Sequence, residues 1–261
     1  MEIKVIRDNG EVKASAAGSE QAILAWTGEY AKGDAIVLEG LEENCFYQWK
    51  ADDTIEETLV FVTKPRIVWP IPFYEKKANR NPLSFLGTRH YLGIRRAGKE
   101  EAGRYRNLVL NPADEHDLEG MYPHALANVE TRGESVFAAQ NAIDGYKASG
   151  CHGEWPYQSW GINRREDAAL TIELGTPAKV DRIALYLRAD FPHDSWWEEI
   201  PVTFSDGSSE VLLTHKPDGA GQSFPIEERV ISWVRLHDLK KHEDSSLFPA
   251  LTQIEVFGVS C

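Results

Sequence analysis

The run Leu170-Thr-Ile-Glu-Leu-Gly-Thr-Pro-Ala-Lys-Val-Asp-Arg-Ile-Ala-Leu-Tyr-Leu-Arg188 decides the fold class. Leu170, Ile172 and Leu174 alternate with Thr171 and Glu173, the period-two pattern of a strand with one face in a core. Gly175 and Pro177 punctuate, and Arg182–Arg188 then reads as a second strand. Outward from this pair, similar short runs recur: Ala35–Glu39, Thr58–Thr63, Glu210–Leu213, Val230–Leu236 and Gln253–Gly258. Most are rich in β-branched or aromatic residues and stop at Gly, Pro, Asp or Asn. Windows with apolar residues at helical spacing are scarce, and strand–helix alternation is missing. Many short strands with turn punctuation predict an all-β protein built of β-sandwiches or jelly rolls.

The length of 261 residues suits two ordinary domains. The first is expected over 1–103, with the turn Tyr30-Ala-Lys-Gly-Asp34 feeding a strand; the second is expected over 104–261. The formal charge of −13 argues against a nucleic-acid partner, which needs a cationic surface, and against anionic membrane surfaces. Neutral ligands such as sugars are indifferent to that balance. The start, Met1–Lys13, has no apolar h-region, and no stretch has the apolar length needed to span a bilayer. Cys45, Cys151 and Cys261 are scattered and odd in number, which fits a reducing compartment. A cytoplasmic location is expected, unless a signal has been trimmed away.

Five segments in order carry a family resemblance. They are Asn107–Pro112; Ala138–Gly145 with its Ile-Asp-Gly turn; Leu170–Gly175 followed by Val180–Arg188; Val202-Thr-Phe-Ser-Asp-Gly207; and Val230–Leu236 with Ile254–Gly258. Together the chain from about 104 onward resembles the discoidin, or coagulation-factor C-type, group of galactose-binding-like carbohydrate-binding modules. The first part is only vaguely similar to the same jelly roll. The resemblance implies two packed β-sandwich domains and a sugar ligand held by loops at one end of the second.

It also implies a structural calcium. The side chain of Asp144 and carbonyls around Asn141 and Tyr146 would supply oxygens from one side and Glu255 from the other, as a hard cation requires. This sequence departs from the family pattern where Tyr146-Lys147 follows the Asp-Gly turn, and Lys147 is placed to supply the positive charge instead.

Two aromatic loops read as the sugar site. Gly150–Gly161 holds His152, Glu154, Trp155, Tyr157 and Trp160; Arg188–Trp197 holds Arg188, Asp190, His193, Trp196 and Trp197. Aromatic faces suit the C–H side of a sugar ring, and a few fixed polar groups suit its hydroxyls. Each reading has a plainer rival. Trp160 is expected in the core, Trp155 stands open between core and ligand, and one of the adjacent Trp196 and Trp197 should face inward. Arg188 and Asp190 either bind neighbouring hydroxyls or pair with each other, and His193 is either a ligand contact or a lone surface group. The recognition predicted is shallow stacking with affinity of roughly micromolar to millimolar.

Two other functions stay open. One is an enzyme acting on glycosides, with Glu154, Asp190, Glu198 or Glu199 as paired acids, although 41 acidic residues always offer such pairs. No nucleophile elbow, His-Glu-x-x-His or phosphate loop is present, and His152, His193, His237 and His242 lack zinc-ligand spacing. The other is a protein-interaction module. Nine basic residues between Lys76 and Arg106 face only Glu100 and Glu101 within that window, which reads as an anion site, a contact with the acidic second half, or a solvated surface.

Overall fold

The computed structural model describes residues 1–261. The first part contains β1 (Glu2–Ile6), β2 (Val12–Ala17), β3 (Gln21–Thr27), β4 (Ala35–Glu39), β5 (Cys45–Lys50), β6 (Thr58–Val62), β7 (Arg66–Pro70) and β8 (Arg89–Arg96). A one-turn helix, α1 (Lys99–Gly103), follows. The second part contains β9 (Arg106–Asn107), β10 (Met121–Tyr122), β11 (His124–Ala127), β12 (Trp160–Gly161), β13 (Leu170–Leu187), β14 (Trp197–Phe204), β15 (Ser209–Leu213), β16 (Gln222–Leu236), β17 (Lys240–Lys241) and β18 (Ala250–Ser260).

Two cores of different residues make two units. In the first, a sheet of order β2-β1-β4-β7 faces one of order β10-β6-β5-β8-β3. Ile3, Val5, Ile36, Leu38, Ile67 and Trp69 from one layer share a core with residues such as Trp49, Val60, Leu92 and Ile94 from the other. The predicted turn before β4 is present: Asp34 accepts the Ala31 N–H at 2.8 Å, and Gly33 takes the left-handed φ of 92°.

The second unit is one nine-stranded antiparallel sheet folded onto itself. The two strands expected at Ala169–Leu174 and Arg182–Arg188 are a single strand, β13. Its first residues pair with β11 and with the end of β16. After a register break between Glu173 and Ala178, the rest pairs with the start of β16 and with β18. The break lets one strand serve both layers, which is how a bulge turns a sheet corner. Trp160, Leu170, Ile172, Leu185, Trp197 and Phe204 meet in the core between them. The Ser205–Gly207 hairpin joins β14 to β15 as expected, with Gly207 at φ 84°.

The chain does not pass from one unit to the other once. Leu108 and Val109 lie in the second core, Ala113, Leu118 and Met121 in the first, and β10 completes the first unit's sheet before β11 joins the second. Much of the basic run is consumed by internal contacts. Buried Arg80 donates to the carbonyls of Pro112 and Asp114 and pairs with Glu115 at 2.8 Å. Arg95 pairs with Glu101, Arg96 with Glu42, and Arg106 lies over the Phe46 ring. The units meet closely at Gly175, where a β-carbon would come within 2.6 Å of the Tyr122 ring.

Gly175 also needs its φ of 75°. Gly175→Ala should therefore lower unfolding free energy by about 1–3 kcal/mol, from strain plus overpacking. The measurement is the urea midpoint at unchanged m-value; a midpoint equal to that of the parent chain would mean that the corner tolerates a side chain.

Candidate functional site

Arg188 closes β13, and its side chain is fully buried. A buried guanidinium must have its donors met. Its Nε donates to Asp190 Oδ1 at 2.8 Å, its Nη2 to Asp190 Oδ2, and its Nη1 to the Tyr157 carbonyl at 2.8 Å. Burial works to raise the Asp190 carboxyl, and the Arg188 hydrogen bonds outweigh it and hold the group below its ordinary value. Of the two readings of Arg188 and Asp190, the ion pair is the one built. Arg188 is not available to a ligand; it fastens the two aromatic loops to each other.

What those loops bring together is a hollow of about 330 Å³. His152 and His193 line it, one from each loop, with ring centroids 5.1 Å apart. Phe137 lies 5.7 Å from the His193 ring and Phe248 lies 6.1 Å from it on another side. Thr131, Arg132, Asn163, Arg164 and Pro192 complete most of the wall.

His193 is the inner group. Its Nδ1 sits 2.8 Å from the Phe248 carbonyl, which only accepts, so Nδ1 carries the proton. Burial, with the Arg188 charge behind it, pushes its pKa down to about 4. At neutral pH the imidazole is uncharged, and Nε2 is a bare acceptor. That Nε2 is shielded from water and has no hydrogen-bond partner in the protein.

The tryptophans do something else. Trp197 is core and packs against Trp160, as one of the two neighbouring indoles was expected to. Trp196 is half-buried, and His242 covers one of its faces with centroids 3.8 Å apart. Trp155 stands edge-on to Tyr146, and Tyr157 edge-on to His152. None of the four lines the hollow. The expectation of indole faces meeting a free guanidinium–carboxylate pair is corrected: extended neighbours alternate in facing, and the core needed the larger rings. Glu154 is exposed and lies outside the hollow.

The acids considered for catalysis are also committed elsewhere. Glu198 pairs with His242 and Glu199 with Lys240. No group of three or more His, Cys, Asp or Glu is placed to hold a metal ion.

Of the groups that the resemblance implied for calcium, the two carboxylates are engaged within the chain. Asp144 Oδ1 accepts the Tyr146 N–H at 2.9 Å and Oδ2 accepts Gln158 at 3.1 Å, which closes an Asx turn. The Asn141 side chain is spent on Ser135, Ser159 and Asn79. Glu255 does face away from Ile254 and Val256, but Lys147 meets it at 2.7 Å and the Tyr186 hydroxyl at 3.3 Å. With a lysine ammonium already on the carboxylate, a divalent cation would be repelled.

Phe137, Phe248, Arg132 and the Asn163-Arg164 pair were not among the residues expected. Phe248 left one signal, an aromatic beside Pro249 in the polar stretch Lys240–Ser246 onward. The others left none, because they come from separate connections.

No family model matches the chain, and no curated protein does. Solved structures do. The chain is similar to chitosan-binding module 1 derived from a chitosanase/glucanase from Paenibacillus sp. IK-5, at 19% identity over 59% of this chain and 99% of that one, with a TM-score of 0.42. It is similar to the family 32 CBM from C. perfringens NanJ in complex with galactose, at 16% identity over 51% of this chain and 91% of that one, with a TM-score of 0.38. It is also similar to the lectin domain of Lectinolysin complexed with Lewis B antigen, at 15% identity over 59% and 98%, with a TM-score of 0.43. All three are carbohydrate-binding modules or lectin domains.

The Lys147–Glu255 pair yields a direct test. Lys147→Met leaves a mostly buried carboxylate without its cation and should lower stability by about 1–3 kcal/mol. Excess chelator should leave the Tm of the parent chain unchanged. A chelator-induced fall in Tm would show that a metal, and not the ammonium, holds that corner.

Proposed function

We propose that this protein binds a mono- or oligosaccharide in the hollow lined by His152 and His193 and does not transform it. One observation carries the reading: an aromatic wall stands beside a buried, unpartnered acceptor, His193 Nε2, in a hollow large enough for a sugar. The exposed Phe248 ring offers a face for C–H groups, and the buried Phe137 ring backs the wall. Asn163, Arg132 and Arg164 offer donors at the rim. A hydroxyl donating to Nε2 relieves a buried group that otherwise lacks a partner. The exposed His152 ring stands beside it, and in this reading that ring turns aside as the ligand reaches Nε2.

Binding is favoured over hydrolysis because no carboxylate lines the hollow. Glycoside cleavage needs two, set on either side of the bond. Phe191, next to the lining residue Pro192, is 81% exposed and extends the aromatic surface outward. An oligosaccharide would lay its second ring there. Calcium has no part in this reading.

Titration calorimetry against a broad panel of sugars tests it. At least one sugar should bind in the micromolar to millimolar range, and His193→Phe should weaken it about tenfold, the effect of one lost buried hydrogen bond. Unchanged affinity in His193→Phe would place the ligand elsewhere.

A pH titration reads the same group. His193 has its folded pKa depressed, so it stays neutral from pH 8 down to about 5 and becomes a cation only as pH falls through about 4. Protonation turns Nε2 from acceptor into donor. Affinity should therefore be flat through the neutral range and lost near pH 4. A loss centred at about pH 6.5, the value of an ordinary imidazole, would show that His193 is not the acceptor.

A further inference from the structure

The wall of the hollow carries no Asp or Glu, in a chain whose formal charge is −13. The contrast with the cavity between the two units is direct. That cavity, of about 340 Å³, is lined by Glu75, Glu115, Asp117 and Glu130. Acid lines that cavity, and the hollow lacks it.

In place of acids the hollow presents two arginines, and they are placed alike. The Arg132 guanidinium lies 5.7 Å from the Phe137 ring and that of Arg164 lies 5.9 Å from the Phe248 ring. Each stands over one of the two aromatic walls. Both sit on left-handed backbone, with φ of 55° and 60°. Arg164 follows Asn163, itself at φ 49°, in a turn closed by the Arg165 N–H on the Ile162 carbonyl at 2.9 Å. Two central residues with positive φ make a type I′ turn, which favours Asn and Gly and which Arg occupies only at some strain. Seven residues other than glycine have positive φ in this chain, and Arg132, Asn163 and Arg164 are three of them, all on this one rim. Such strain persists where the surrounding structure imposes it, and it gathers at functional sites.

The two arginines differ in charge balance. Arg132 is held by Glu134 through two hydrogen bonds of 2.6 and 2.7 Å. Arg164 has no such partner, and the neighbouring Asp167 is taken by Arg165. An uncompensated guanidinium over an aromatic wall is a carboxylate receptor.

We infer that the ligand of this hollow is a carboxylated sugar, a hexuronic acid or a glycan bearing one, with its carboxylate on Arg164 and its ring against Phe248. The inference rests on the sugar reading given above. Neutral sugars would fill the same hollow and leave the exposed Arg164 donors to water.

The test is calorimetry on the full chain at low salt with matched sets: galacturonate, its methyl ester and galactose, then the glucose and mannose equivalents. The acid should bind about three- to fivefold tighter than its ester and its neutral sugar, the effect of one partly exposed ion pair. Salt should shrink that margin. Arg164→Asn should erase it, and the fold is kept because Asn adopts positive φ readily. Glu134→Gln frees Arg132 and should widen the margin. Equal affinity for acid and ester, or a margin that survives Arg164→Asn, overturns the inference while leaving sugar binding intact. Failure of every sugar in the sets to bind, acid or neutral, removes the sugar reading and this inference together.

Discussion

The buried Arg188 guanidinium is the constraint on which the site depends. A charge at the end of a core strand is tolerable only if its donors are satisfied, and here they are satisfied by two different loops. The Tyr157 carbonyl belongs to one and the Asp190 carboxylate to the other. Satisfying the arginine therefore fixes the loops relative to each other, and His152 and His193 are brought to 5.1 Å as a consequence. His193 passes the constraint on: its proton goes to the Phe248 carbonyl, which draws a third connection against the first two. The same positive charge lies behind His193 and helps keep its imidazole neutral.

The first unit takes part in this arrangement from a distance. Glu75 accepts the Ser135 N–H at 2.7 Å and its carbonyl accepts the Ser135 hydroxyl at 2.6 Å. Ser135 lies in the Thr131–Phe137 segment, which supplies Arg132 and Phe137 to the hollow. Arg80 adds bonds to the Pro112 and Asp114 carbonyls, in the segment that crosses between the units. One wall of the hollow is thus held from both sandwiches. Of the three readings of the basic run, a contact with the acidic second half is realised by buried Arg80, which pairs with Glu115.

Much of the architecture was legible because strand patterning is local. Alternation at Leu170, Ile172 and Leu174, the Ser205–Gly207 turn and the Tyr30–Asp34 turn all specify their structures through residues a few positions apart. The continuity of β13 was not legible. Gly175 and Pro177 look like a strand end, and only the pairing of the two halves with different neighbours shows that they form a corner. At the site, the two loops were legible as a pair, whereas their chemistry was not. Aromatic residues in loops drew the eye to the tryptophans, and the fold used the largest rings for packing and left His, Phe and Arg at the opening.

By itself, the sequence determined the all-β class, the two sandwiches and the inward turn of Trp160. These depend on periodicity, turn chemistry and residue type, which are properties of neighbours along the chain. Only the tertiary structure decided that Arg188 clamps and does not bind, and that Phe137, Asn163, Arg164 and Phe248 share one hollow. The physical reason is that burial and proximity between distant connections follow from how the folded sheet closes, and no local pattern encodes which of many polar or aromatic loop residues will face the same space.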